Sequence, residues 1–314
     1  MPTTESPSVI TNFPNISSCA TWSERGVIIS GNVTIFMTDG SIDLSLLNSP
    51  QGIFVDLNEN DSLYVADRGN KRILKFKQGS IKGEVVVAES DNSVFDPTNV
   101  YVDNEKNVYI GDEASGNIVK LVSNTNGSAR VAGGSHKGDG LNQLDGVGIF
   151  IMDQNKNLYI ADSHNHRIVK WEPNAQSGIL IAGVSGENGD DSHHLHNPQG
   201  IFVDSLNDAL YVADSGNHRI QKYHPVGSNM TAETVAGNGT HGNSLFQLNK
   251  PVAVIVDGNE NIYVAEMDNH RIVKWMAQNY TAGGTCIAGC SKWGGSDLQF
   301  NRIQKFEIIR NKCD

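Results

Sequence analysis

The sequence predicts an all-β fold, a six-bladed β-propeller of four-stranded antiparallel blades in which one blade is shared between N- and C-terminal strands. Three observations carry this. A unit of apolar strand, polar turn and second apolar strand recurs five times, beginning at Gly52, Asn99, Gly148, Gly200 and Ala253. The acidic residue that ends the second strand, at Asp67, Asp112, Asp162, Asp214 and Glu266, repeats every 45 to 52 residues, which is room for four short strands. The two chain ends carry complementary pieces of one further unit.

Within each unit the elements follow in a fixed order. An unbroken apolar run such as Ile201-Phe202-Val203 reads as a first strand covered on both faces by neighbouring blades, and so does not alternate. A turn rich in Asn, Asp and Gly leads to the second strand, as in Leu210-Tyr211-Val212-Ala213. A tight turn such as Ser215-Gly216-Asn217 precedes a third strand that does alternate, Arg219-Ile220-Gln221-Lys222-Tyr223. The fourth strand closes on small residues: Val131-Ala132-Gly133, Ile181-Ala182-Gly183, Val235-Ala236-Gly237 and Ile287-Ala288-Gly289.

The sixth blade is expected from the termini. Phe300-Asn301-Arg302 through Phe306-Glu307-Ile308 lines up with a first strand, while Ala20-Thr21-Trp22 and Val27-Ile28-Ile29-Ser30-Gly31 line up with third and fourth strands. Pairing them would remove two open sheet edges. Residues 1–14 read as a linker or terminal extension, and 15–314 as a single propeller domain. Cys19 and Cys313 fall in the two halves of the clasp and are a candidate disulfide. That leaves Cys286 and Cys290 to pair locally, which requires the chain to turn after Gly289 because an extended strand would hold them about 13 Å apart.

The pattern Leu-Tyr-Val-Ala-Asp-Ser-x-Asn-His-Arg-Ile, best seen at 162–168, 214–220 and 266–272, resembles the NHL repeat, and the resemblance runs from about Cys19 to Ile309. Two copies depart from it: Asn117 stands where the Arg is expected, and Lys71 replaces the His. The resemblance implies a propeller, but not one activity. NHL propellers include RNA binders with a basic face, extracellular sensors for kinases, zinc lyases with histidine ligands, and scaffolds. The Arg and Tyr context of the lyases is not found here, so those roles are not carried over.

Charge and composition narrow the classes. The net charge is −11 and no Lys/Arg-rich run occurs, which argues against nucleic acid as a partner. No stretch is apolar for the roughly 18 residues of a membrane span, and no signal-peptide core is present. Seven N-x-S/T sequons, at Asn15, Asn32, Asn60, Asn126, Asn229, Asn238 and Asn279, together with an even number of cysteines, point to an extracellular or secreted glycoprotein. The chain is expected to be a monomer and to be a fragment of a larger protein.

Residues that recur at one offset are expected to be structural: Asp67/Arg72, Asp162/Arg167, Asp214/Arg219 and Glu266/Arg271 read as charge-assisted ties across the turn between second and third strands. His166, His218 and His270 lie in the same turn. Residues outside the repeat are the site candidates. They cluster in the links that join one blade to the next, on the rim around the channel mouth: His136, the run Asp190, Asp191, His193, His194 and His196, then His241 and Trp293. His194 and His196 are the weak metal-ligand candidates, for Zn²⁺ or Ca²⁺, since imidazole and carboxylate share one short loop, although its spacing matches no structural zinc motif. Trp293 is either a rim contact or a plug over the fifth blade. No Gly-x-Ser-x-Gly elbow, phosphate loop or His-Glu-x-x-His helix occurs. The expected function is a non-enzymatic propeller that binds a protein or small ligand at the rim. The alternative is a metal-dependent lyase or hydrolase at the channel mouth, which would require His136, His194 or His196, and His241 to converge on the axis.

Overall fold

A computed structural model describes residue 44, residues 46–88, 95–125, 127–205, 207–224, 232–277 and 279–290, and residue 305. Twenty strands form five four-stranded sheets. Blade one holds β1 (Ile53–Asp56), β2 (Ser62–Asp67), β3 (Arg72–Phe76) and β4 (Glu84–Ala88). Blade two holds β5 (Pro97–Val102), β6 (Val108–Asp112), β7 (Asn117–Leu121) and β8 (Ser128–Ala132). Blade three holds β9 (Val147–Met152), β10 (Leu158–Asp162), β11 (Arg167–Trp171) and β12 (Ile179–Gly183). Blade four holds β13 (Gly200–Asp204), β14 (Ala209–Asp214), β15 (Arg219–Tyr223) and β16 (Ala232–Ala236). Blade five holds β17 (Pro251–Val256), β18 (Ile262–Glu266), β19 (Arg271–Trp275) and β20 (Thr285–Ala288). Every sheet is an antiparallel meander in chain order.

The described structure therefore has five blades, not the six expected. Apolar patterning marks which segments can be strands, but pairing between segments nearly the whole chain apart is set by backbone contacts that no local pattern specifies. Apart from Lys305, the segments assigned to the shared blade, and with them Cys19, Cys313 and Trp293, lie outside the described residues. From the C-terminal segment, Lys305 reaches blades one and two: its ammonium donates to Ile53 O at 2.6 Å and Asn99 Oδ1 at 3.1 Å.

The core lies between blades. Tyr211, Ala213 and Val235 of blade four pack with Val254, Val264 and Trp275 of blade five, and Tyr109 and Ile118 of blade two pack with Phe150, Ile160 and Trp171 of blade three. This is why first and second strands are apolar on both faces. Near the axis the first strands crowd one another. A Cβ on Gly52 would stand 2.5 Å from Asn99 Cα, and one on Gly200 would stand 2.5 Å from Val252 O, so no side chain fits at either place. One irregularity recurs in all five blades: the pairing of third and fourth strands shifts register one residue after the start, at Ile73/Leu74, Ile118/Val119, Ile168/Val169, Ile220/Gln221 and Ile272/Val273. A bulge of this kind adds local twist to the outer strand. The chain does turn after β20, with Gly289 at φ +71°, and Cys286 and Cys290 form a disulfide with Cα atoms 5.7 Å apart.

Candidate functional site

In an antiparallel meander the turn between second and third strands and the link to the next blade lie at one end, so these segments build one rim. The repeated pairs organise it. Arg72, Arg167 and Arg219 each donate Nε–H to Asp67, Asp162 and Asp214 at 2.7, 2.8 and 2.8 Å, and Arg271 does so to Glu266. The second carboxylate oxygen accepts a backbone N–H from the link into the same blade: Asn48 to Asp67, Asp145 to Asp162 and His196 to Asp214, all at 2.7 Å, and Asn249 to Glu266 at 2.8 Å. Other guanidinium hydrogens go to carbonyls of that link, and Arg167 also donates to Ser185 Oγ at 2.9 Å. Arg167 reaches Asp139, Gly140 and Gln143, and Arg219 reaches Asp190, Asp191 and His194. Each pair thus fastens a whole link to its blade. Burial pushes the Asp162, Asp214 and Glu266 carboxyls above their ordinary values, and the hydrogen bonds and guanidinium charge oppose that shift only in part. In blade two, with Asn117 in place of the Arg, Asp112 accepts instead from Asp96 N–H, Ala114 N–H and Ser115 Oγ–H.

The links fix the expected site residues in separate places. Asp191 Oδ1 accepts the N–H groups of His193 and His194 at 2.8 and 3.0 Å and lies 2.8 Å from His194 Nδ1. The His194 hydrogen bond, with those backbone N–H groups, lowers the Asp191 carboxyl to about 2. Asp190 is exposed and contributes its backbone carbonyl to Arg219. His136 is exposed beside Ser135 Oγ at 2.9 Å. His196 stacks edge-on against His166, and His241 tilts against His218, each with ring centroids 5.6 Å apart. His136, His194 or His196, and His241 therefore face different neighbours, and no three-histidine set forms among the described residues.

At the channel mouth lies a cavity of about 270 Å³ to which all five blades contribute, with Gln51, Arg68, Thr98, Glu113, His164, Gln199 and Val252 in its lining. Among the described residues, none of the expected candidates lines it. Arg68 closes a two-pronged ion pair on Asp96, at 2.6 and 2.7 Å, that ties blade one to the link into blade two. Across the mouth, Lys137 Nζ stands 3.4 Å from Glu113 Oε1 and 3.3 Å from Asp145 Oδ1, and His164 Nδ1 stands 3.3 Å from Asp145 Oδ1. Donor atoms of Glu113, Asp145 and His164 lie within 4.8 Å of one another, but the Lys137 ammonium already supplies a cation to both carboxylates. Desolvation works against the Lys137 charge, yet Glu113 and Asp145 outweigh it and hold the ammonium above its ordinary value. Desolvation also opposes the Asp145 charge, and hydrogen bonds from His164 and Lys137 more than offset it, so this carboxyl is lowered. Thr98 Oγ and Ser163 Oγ donate to Val147 O and Pro198 O, which leaves their lone pairs free to accept from a guest. Below them Asn99 Nδ2 donates to Phe150 O at 3.0 Å, and with Lys305 it forms a polar chain across the first strands of three blades.

Sequence reasoning passed over Arg68, Glu113, Lys137 and His164 because the repeat does not mark them. Arg68, Glu113 and His164 are single residues within turns of equal length and Lys137 lies in a link, and their proximity arises only where neighbouring blades meet. The one usable signal was that Arg68, Glu113 and His164 immediately follow the acidic residue or its neighbour, at the start of the rim turn in three successive blades.

The fold and its rim define the chain as an NHL-type β-propeller. The description "SMP-30/Gluconolactonase/LRE-like region" matches residues 30–241, and the chain belongs to that family. Two NHL repeat-containing proteins 2 are similar over part of the chain: that of Bos taurus is 30% identical over 118 residues, covering 31% of this chain and 16% of the relative, and that of Homo sapiens is 39% identical over 85 residues, covering 25% and 11%. The matched region thus spans less than a fifth of either relative. Among solved structures, the nidogen/laminin complex contains a chain with a TM-score of 0.57 at 14% identity, covering 76% of this chain and 83% of that one. A streptogramin B lyase gives 0.51 at 15% identity, covering 78% and 70%. Catalytically inactive H270A virginiamycin B lyase from Staphylococcus aureus with quinupristin gives 0.51 at 12% identity, covering 85% and 80%. These likenesses show the fold alone.

Proposed function

We propose that this propeller is a non-enzymatic binding module that receives a protein or small ligand at the rim bearing the inter-blade links, seats a small polar group in the channel mouth, and works outside the cell. The mouth cavity carries this reading. All five blades line it, its walls hold charges of both signs in ion pairs, and the pairs can exchange a partner for a ligand group without leaving a charge bare. The rigid blades hold the wall while the links set its chemistry. The Cys286–Cys290 disulfide supports an oxidising compartment, and the sequons at Asn60, Asn238 and Asn279 are exposed. No helix among the described residues is long and apolar enough to cross a membrane.

The test is a thermal-shift screen of sugars, polyols, amino acids and short peptides, with hits measured by calorimetry on wild type and on Glu113→Gln and Arg68→Gln. Hits are expected to bind wild type at least about tenfold tighter than one of the two variants, the loss from a single charge-assisted contact. Hits that bind both variants as tightly as wild type would place the site elsewhere. Turnover of a hit that stops with chelator would replace this reading with a metal-dependent lyase or hydrolase.

A further inference from the structure

Two histidines of the rim do something the repeat does not require. His166, in the turn of blade three, accepts the backbone N–H of Asn197 on its Nδ1 at 3.1 Å. His218, in the turn of blade four, accepts the backbone N–H of Lys250 in the same way at 3.2 Å. Asn197 belongs to the link into blade four and Lys250 to the link into blade five, so each imidazole bolts one blade to the link entering the next. Both residues occupy a left-handed turn position, φ 55° and 54°, that Lys71 and Gly116 fill in blades one and two. An imidazole can accept through Nδ1 only while neutral, with its proton on Nε2.

We propose that His166 and His218 are acid-sensitive latches: neutral, they hold the links into blades four and five, and protonation at Nδ1 releases both. The proton removes the lone pair that the amide needs and sets N–H against N–H. It also places a positive charge beside another basic group. The His166 ring faces His196 at 5.6 Å, with His164 in the same turn, and among the described residues no carboxylate opposes the charge. The His218 ring faces His241 at 5.6 Å, with Lys250 and His196 nearby; Asp268 opposes them but is itself engaged by the Lys250 ammonium at 2.9 Å. Desolvation first, then these neighbours, holds both imidazoles below their ordinary value, so the native state disfavours the proton that the unfolded chain accepts. A depressed folded value contributes stability above about pH 6.5, and that contribution is lost as the pH falls through the folded value. Because Gln199, the last residue of the link into blade four, and Val252, the second residue of β17 just after the link into blade five, line the channel mouth, release loosens one side of the mouth. The latch does not depend on what the mouth binds.

The test is amide hydrogen exchange, corrected for the intrinsic effect of pH, on the Asn197 and Lys250 amides between pH 7.5 and 5. Protection is expected to fall by up to about tenfold per unit as the pH drops from about 6.5 towards the folded imidazole values, and to level off below them. In blade one, the Gly69 amide bonds Asn48 O beside Lys71 and should hold its protection over the same range. In His166→Asn/His218→Asn, which keeps a residue suited to left-handed turns, protection at Asn197 and Lys250 should be independent of pH. Constant protection in wild type, or an equal fall in wild type and variant, would overturn the proposal. Should the variant not fold, the wild-type imidazole titrations followed by NMR decide. Midpoints that coincide with the loss of protection support the latch, and titration without any loss refutes it.

Discussion

Replacing Arg167 with Met tests whether the repeated Arg–acid pairs hold the rim. The Arg167 side chain is wholly buried and donates to Asp162 Oδ2, to the carbonyls of Asp139, Gly140 and Gln143, and to Ser185 Oγ. Methionine fills much of the volume and donates nothing. Asp162, also wholly buried, would keep the Asp145 N–H and Asn165 Nδ2 as donors but would lose its only countercharge among them. Removing one member of a buried pair costs about 3–5 kcal/mol, mostly from the charge left behind. Removing both should cost less, so Asp162→Asn/Arg167→Met is expected to be more stable than Arg167→Met. The deficit should also depend on pH. With its cation gone, Asp162 rises further above its ordinary value, the native state takes up a proton the unfolded chain lacks, and the loss shrinks as the pH falls from 7 towards about 4. Urea unfolding followed by the fluorescence of Trp171, 2% exposed at the far end of the strand that Arg167 begins, measures all three. A loss within about 1 kcal/mol for Arg167→Met, or a double variant no better than the single, would refute the argument.

Two further outcomes follow from packing and cross-linking. Phe150→Ala empties a position 1% exposed between blades two and three, among Tyr109, Ile118 and Trp171, and should cost about 3–5 kcal/mol by the same urea assay. Cys286→Ser/Cys290→Ser opens a short loop at the end of β20 and should cost about 2 kcal/mol in thermal unfolding, with no free thiol detected at these positions in wild type until a reductant is added.

Local features of this protein could be read from its chain. The strands of all five complete units, their order and the turn between second and third strands follow from apolar runs and turn residues that repeat within each period, and neighbours in sequence pair in space. The turn after Gly289 was legible for the same reason, since two cysteines four residues apart can bridge only if the chain reverses. The count of six blades was not. It rested on joining half-units from opposite ends, and the pattern of a strand does not name its partner. The histidine-rich links drew attention because they break the repeat, yet His194 turns to Asp191, His196 to His166 and His241 to His218.

The sequence by itself determined the repeat, the all-β class and the offset of each Arg from its acid, because these depend on residues within one blade. Only the tertiary structure decided where the mouth is and what lines it. Arg68 meets Asp96, and Lys137 meets Glu113, across junctions between blades, and His166 finds Asn197 thirty-one residues away. Such contacts are set by how sheets stack around an axis, and the spacing of residues along the chain carries no record of that angle.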